Sequence, residues 1–174
     1  MQLNKIMLSA ILSLGAISVA HAAGDQGHGT VTFSGSIIDA PCSIALSDIN
    51  QTVDLGQVSN VALANGGSSK PASFEVKLEG CVLGTAKNVT TTFTGIEGAN
   101  GLLGMTGAAK GASIALTNGD GSPLKLNTPS KKQVLQDGNN TMSFSAFLKG
   151  DGVKDAAVVP GDFKSVVNFT LAYQ

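Results

Sequence analysis

The sequence predicts an all-β chain folded as an immunoglobulin-like β-sandwich. Three observations carry this expectation. Apolar residues recur at every second position in several short runs, glycine-bearing turns separate the runs, and no segment keeps a helical period beyond a turn or two. The composition agrees, with Gly at 22 of 174 residues, many Thr and Ser, and few aromatic side chains. About eight short strands with turns between them favour a sandwich. The Trp of a true antibody domain is absent, so the architecture is only immunoglobulin-like.

Taken in order, residues 1–22 read as an export signal. Lys5 is their only charge, an apolar run follows from Ile6 to Val19, and Ala20-His21-Ala22 supplies a small-x-small cleavage site. The run is too short and too rich in Ser, Gly and Ala to span ~30 Å of hydrocarbon. Cleavage after Ala22 is expected. Residues 27–38 follow as GHGTVTFSGSII, where Val31, Phe33, Gly35 and Ile37 share one face and Thr32, Ser34 and Ser36 the other. This is a strand pattern with one buried face, and Gly35 in its middle marks a bulge or a close backbone approach. The pattern leaves open whether the strand pairs within its own chain or with another copy.

Pro41 interrupts the ladder, so the chain should bend there. Val53 and Leu55 predict a short strand ended by Gly56, and residues 60–71 a polar, Gly-rich loop. Phe74, Val76 and Leu78 alternate with Glu75, Lys77 and Glu79 in the clearest strand, which ends at Gly80-Cys81. Val89, Thr91 and Phe93 form another. Residues 95–111 carry too many glycines for a helix and are expected to be a flexible connection. Ile114 and Leu116 enter a hairpin at Asn118-Gly119-Asp120-Gly121, a strong turn signal, and Leu124 and Leu126 return. A turn is expected at 137–140, then a strand with Met142, Phe144, Ala146 and Leu148 on one face. Residues 150–160 read as a loop. The last strand places Val167, Phe169, Leu171 and Tyr173 on its buried face.

Cys42 and Cys81 are the only cysteines. In an exported chain an isolated pair reads as a disulfide, here across a separation of 39 residues. Chain-entropy reasoning puts its stabilisation at about 4 kcal/mol. A metal site or reactive thiol lacks neighbouring His ligands. The chain is slightly acidic, has no Arg, and scatters its Lys residues apart from Lys131-Lys132. That argues against a nucleic-acid partner, which needs a basic face. His28 lies between two glycines and reads as a solvated side chain rather than a held catalytic imidazole. Asp120 belongs to a turn that lacks the acidic positions of a calcium loop. Only three Glu are present, two of them on one exposed strand face. The residues point to no catalytic site, metal or cofactor, and the chain reads as a non-enzyme.

Several segments, in this order, resemble the major subunits of chaperone–usher fimbriae, the pilins of type 1 and P pili, nearest the mannose-resistant Proteus-like group. The segments are Gly29-Thr30-Val31-Thr32-Phe33-Ser34-Gly35, Ile38-Asp39-Ala40-Pro41-Cys42-Ser43-Ile44, Gln51-Thr52-Val53-Asp54-Leu55-Gly56 and the C-terminal strand. Tyr173 is the penultimate aromatic, and Gly161 stands fourteenth from the end. The resemblance covers essentially the whole chain.

It implies an incomplete immunoglobulin-like sandwich, completed by a donor strand from a neighbouring subunit. Residues 1–22 would be the cleaved signal, 23–37 the N-terminal donor-strand extension, and 38–174 the pilin domain. Val31, Phe33, Gly35 and Ile37 would face the neighbour's groove, with Gly161, Val167, Phe169, Leu171 and Tyr173 on the acceptor side. The Gln174 carboxylate would meet a basic anchor on a periplasmic chaperone. The implied partners are further copies of the chain in a homopolymer, that chaperone, an outer-membrane usher and other fimbrial subunits. The implied place is an extracellular fimbria supporting adhesion. A minor fimbrial adaptor remains an alternative, as does a self-contained exported immunoglobulin-like binding module with its first strand paired at home.

Overall fold

A computed structural model of the chain describes residues 27–152 and 157–174. The expected export signal at 1–22, like residues 23–26 of the expected extension, lies outside the described residues. The chain divides into two units between Ile37 and Ile38. In the first, residues 27–37 belong to no strand, although their alternation predicts one. Val31, Phe33 and Ile37 are 75%, 90% and 104% exposed.

Besides two 3-10 turns, Ala64–Gly66 and Ala99–Gly101, the described residues of the second unit contain ten strands and two single α-helical turns. These are β1 (Ser43–Ile44), α1 (Leu46–Ile49), α2 (Asn60–Leu63), β2 (Ala72–Cys81), β3 (Asn88–Gly95), β4 (Thr106–Gly107), β5 (Ala112–Asn118), β6 (Pro123–Leu124), β7 (Gln133–Val134), β8 (Gly138–Gly150), β9 (Phe163–Lys164) and β10 (Val167–Tyr173). One sheet runs β1-β2-β8-β5-β6, a second β10-β3-β7, and β4 pairs with β9. Every pairing is antiparallel.

The alternation read from the sequence dictates which faces meet. Val76 and Leu78 on β2 and Met142 and Phe144 on β8 point inward, against Val89, Thr91 and Phe93 on β3. Phe93 and Phe144 meet edge to face at 5.1 Å, and the Thr91 hydroxyl donates to the Met142 sulfur at 3.5 Å. Each large apolar side chain buried here stabilises the fold by ~1.5–3 kcal/mol. The hairpin forms as expected, with Asn118 N–H donating to Ser122 O at 2.9 Å and Gly121 N–H to Asn118 O at 2.9 Å. Cys42 and Cys81 are joined, with Cα atoms 4.2 Å apart. The bond ties the end of β2 to the chain just after Pro41, whose carbonyl accepts from Val82 N–H at 2.9 Å.

Four expectations change. Val53 and Leu55 alternate in burial with Thr52 and Asp54, but residues 51–59 make no strand. The expected loop at 60–71 begins with α2, whose first turn is capped by Ser59 Oγ accepting from Val61 N–H. Residues 95–111 are bound rather than loose. Leu103 exchanges backbone hydrogen bonds with Ile114 at 2.9 and 2.8 Å and is buried in the core. Of the expected turn at 137–140, Asp137 is a bend, but residues 138–140 already belong to β8, where Gly138 adopts φ +94°.

Candidate functional site

β10 is an edge strand. It pairs with β3 along its whole length, from Val167 opposite Gly95 to Tyr173 opposite Val89. Among the described residues no strand lies on its other side. An edge of this kind presents a row of backbone donors and acceptors that another strand can use.

Beside that edge lies an apolar groove of about 1410 Å³. One wall is the segment with Val53, Leu55 and Val58, the other is residues 158–169, and Phe74, Phe93 and Leu116 line it between them. The first wall alternates like a strand, yet among the described residues it has no ladder partner. It is anchored near its start by Gln51, whose side-chain amide donates to Glu75 O at 3.0 Å. It turns at Gly56, at φ +67°, where the Gly56 N–H donates to Asp54 Oδ1 at 2.8 Å. α1 sits at the foot of this wall. There the buried Asp48 carboxylate accepts from the Ser47 hydroxyl at 2.6 Å and from Lys77 N–H at 2.8 Å. Those bonds, Ser47's first, hold its pKa below the usual carboxylate value.

The structure brings Gly161, Val167 and Phe169 together in the groove. Gly161 is there for a steric reason. A Cβ on it would fall 2.8 Å from both Ala108 Cβ and Ala109 N, and the Ala108 and Ala109 amides both donate to Asp162 O. Leu171 and Tyr173 continue the inward face of β10, half-buried against the core, but lie outside the groove. Burial raises the Tyr173 pKa. The Gln174 carbonyl oxygen accepts from Lys87 and Asn88 N–H at 2.7 and 2.9 Å, so the C-terminal residue is held at the end of the sheet.

Sequence reasoning missed the wall residues as site residues. The Val53/Leu55 alternation was the available signal, and it reads equally well as a strand paired at home. Leu103 and Met105, which also line the groove, sit in a Gly-rich stretch with no periodicity to mark them. Two other candidates take ordinary roles. His28 is exposed. The Asp120 carboxylate accepts from the Lys131 ammonium and from Ser122, which holds its pKa well below the usual range, the Lys131 bond contributing most. Among the described residues no group of three or more His, Cys, Asp or Glu could hold a metal.

Comparison with known proteins agrees with this geometry. Residues 31–174 match the family described as fimbrial protein. The chain is 58% identical to the Fimbria A protein of Serratia marcescens, over the full length of both. It is 49% identical to the Major MR/P fimbria protein of Proteus mirabilis (strain HI4320), again over the full length of both. A solved chaperone–usher pilus structure is 33% identical with a TM-score of 0.72, covering 86% of this chain and 97% of that one. The chain belongs to the fimbrial protein family, as a structural subunit of a fimbria on the cell surface.

Proposed function

We propose that the chain polymerises by donor-strand exchange, the N-terminal extension of one copy filling the groove of the next. The observation that carries this reading is a pairing of complements. An apolar groove lies beside an edge strand, and an exposed segment of the same chain alternates Val31, Phe33, Gly35 and Ile37. Strand addition of this kind takes its affinity from backbone hydrogen bonds and its specificity from alternate side chains. Each buried Val, Phe or Ile contributes ~1.5–3 kcal/mol, and each ladder bond ~0.5–1.5 kcal/mol. A fibre held this way comes apart only slowly.

In this reading residues 1–22 are removed on export, 23–37 are the donor, and 38–174 are the acceptor domain. A periplasmic chaperone covers the groove and β10 until an outer-membrane usher brings the next subunit. The role is structural rather than catalytic, in a homopolymeric shaft that supports adhesion. The names of the Proteus relative, a major fimbria protein, and of a similar Escherichia coli protein, a fimbrial major pilin protein, favour the shaft over a minor adaptor.

Gly35→Asn tests the donor assignment. A Cβ at Gly35 meets nothing within 4 Å in the subunit, so folding and chaperone capture should survive. In the groove the new side chain overpacks the interior, at ~1–3 kcal/mol, and buries an unpaired amide. The purified mutant–chaperone complex should therefore fail to polymerise. Normal polymerisation would refute the assignment.

A further inference from the structure

We propose that Asn100 is a site of spontaneous modification, where the backbone nitrogen of Gly101 displaces the side-chain amide and leaves aspartate and isoaspartate. The dipeptide Asn-Gly occurs three times in the chain, as Asn65-Gly66, Asn100-Gly101 and Asn118-Gly119. The pair is prone to this reaction because glycine puts no side chain in the path of the attacking nitrogen. In sequence the three are equivalent, and the fold separates them.

The chemistry needs only water. Hydroxide removes the Gly101 amide proton, and the nitrogen attacks the Asn100 side-chain carbonyl carbon. A C–N bond closes a five-membered succinimide, and the side-chain nitrogen takes a proton from water and leaves as ammonia. Water then opens the ring at either carbonyl, giving aspartate or, with the backbone routed through the side chain, isoaspartate. Nothing is oxidised or reduced. Two conditions control the rate. The asparagine side chain must be free to turn, and the peptide that follows must be free to swing toward it.

Asn118 fails the first condition. Its Nδ2 donates to Ser122 O at 3.3 Å and to Ser122 Oγ at 3.0 Å, and its Oδ1 accepts from Lys131 N–H at 3.2 Å. Asn65 fails the second. It and Asn100 share a left-handed backbone, at φ 54° and 57°, each followed by a glycine with positive φ. Gly66, however, is half-buried, and a Cβ on it would lie 3.6 Å from Gly152 Cα. The next residue, Gly67, is wedged so that a Cβ there would run into Ala62 O. Asn100 meets both conditions. It and Gly101 are exposed, and a Cβ on Gly101 would meet nothing within 4 Å. The Asn100 side chain is held by one long bond, Nδ2 donating to Asp151 O at 3.3 Å. The base of the turn stays fixed while its tip reacts, with Gly98 N–H donating to Leu102 O at 2.7 Å and Leu102 N–H to Ala99 O at 3.0 Å. Conversion removes the donor that reaches Asp151 and adds one negative charge beside that residue.

Timed incubation tests this on the assembled protein. Purified fimbriae are held at mildly alkaline pH, sampled over time and digested at mildly acidic pH, so that digestion itself adds little conversion. Fragmentation by mass spectrometry then places each amide-to-carboxyl mass gain on a residue. A parallel sample is reduced, alkylated and kept unfolded in guanidinium chloride throughout. In the unfolded chain the three Asn-Gly sites should convert at comparable rates. In the fimbriae Asn100 should convert first, to both aspartate and isoaspartate, with Asn65 slower. Asn118, which must break three side-chain hydrogen bonds, should be slower than Asn100 by at least on the order of tenfold. Asn65 or Asn118 keeping pace with Asn100 in the fimbriae would overturn the proposal. So would an Asn100 that stays intact there while converting in the unfolded chain. Asn100→Gln, whose longer side chain closes the ring far more slowly, should remove most of the isoaspartate formed in native fimbriae. An undiminished isoaspartate yield from that variant would likewise overturn the assignment.

Discussion

β8 and β10 are written in the same code and end in different states. Both alternate apolar and polar residues, and both place a phenylalanine against Phe93, Phe144 at 5.1 Å and Phe169 at 6.3 Å between ring centroids. β8 has β2 on one side and β5 on the other, and its inward residues from Met142 to Gly150 are buried. Among the described residues β10 has β3 alone, and every inward residue on it is only half-buried. Alternation thus settles which face of a strand is apolar. How completely that face is covered depends on the number of neighbours, which the strand's own residues do not record.

The largest test of this contrast uses one substitution at both places. Phe144→Ala removes a ring from a finished part of the core and should destabilise the isolated subunit by ~3–5 kcal/mol. Phe169→Ala should cost about half as much there, and its effect should grow once the groove is filled. Denaturant midpoints of the free and the polymerised protein measure both. Equal losses at the two positions in the free subunit would mean that β10 is already complete.

Breaking the Cys42–Cys81 bond in a Cys42→Ala, Cys81→Ala chain should cost about 4 kcal/mol. The bond staples the end of β2, on the finished side of the fold, to the chain just beyond the extension. Its loss should lower the yield of folded subunit recovered from cells more than it weakens fibres already built.

The same comparison explains what was legible in the sequence. The strands β2, β3, β5, β8 and β10 were readable because each has a long alternating run whose inner face meets the core. Val53 and Leu55 have the same alternation, yet their segment is a groove wall without a ladder. Val31 to Ile37 alternate as well, and form no strand in the subunit. Period two reports a face that wants covering, and it is silent about which chain covers it. The turns α1 and α2, four residues each, are too short to show a helical period. Leu103 was illegible for another reason. It is buried and bonds twice to the Ile114 backbone, but it sits in a glycine-rich segment where no alternating pattern surrounds it.

A smaller effect is expected at the foot of the groove wall. Asp48→Ala leaves Lys77 N–H without its carboxylate acceptor and should cost ~1–3 kcal/mol. Because folding lowers the Asp48 pKa, its contribution is fully present above the ordinary carboxylate range and fades as pH falls through the depressed value. The stability difference between wild type and Asp48→Ala, followed by urea unfolding, should therefore shrink below about pH 4. A difference that stayed constant down to strongly acidic pH would mean the carboxylate charge is not what holds α1 to β2.

The donor-strand proposal seats residues 27–38 of another copy in the groove beside β10. It is tested most directly by deleting the extension and supplying it as a peptide. Subunit lacking residues 23–37 is unfolded by heat with and without a synthetic peptide of residues 27–38, and with the same peptide carrying Gly35→Asn. The account predicts a midpoint that rises with the concentration of the native peptide, as ligand linkage requires, and stays put with the substituted one. A midpoint indifferent to the native peptide would contradict it.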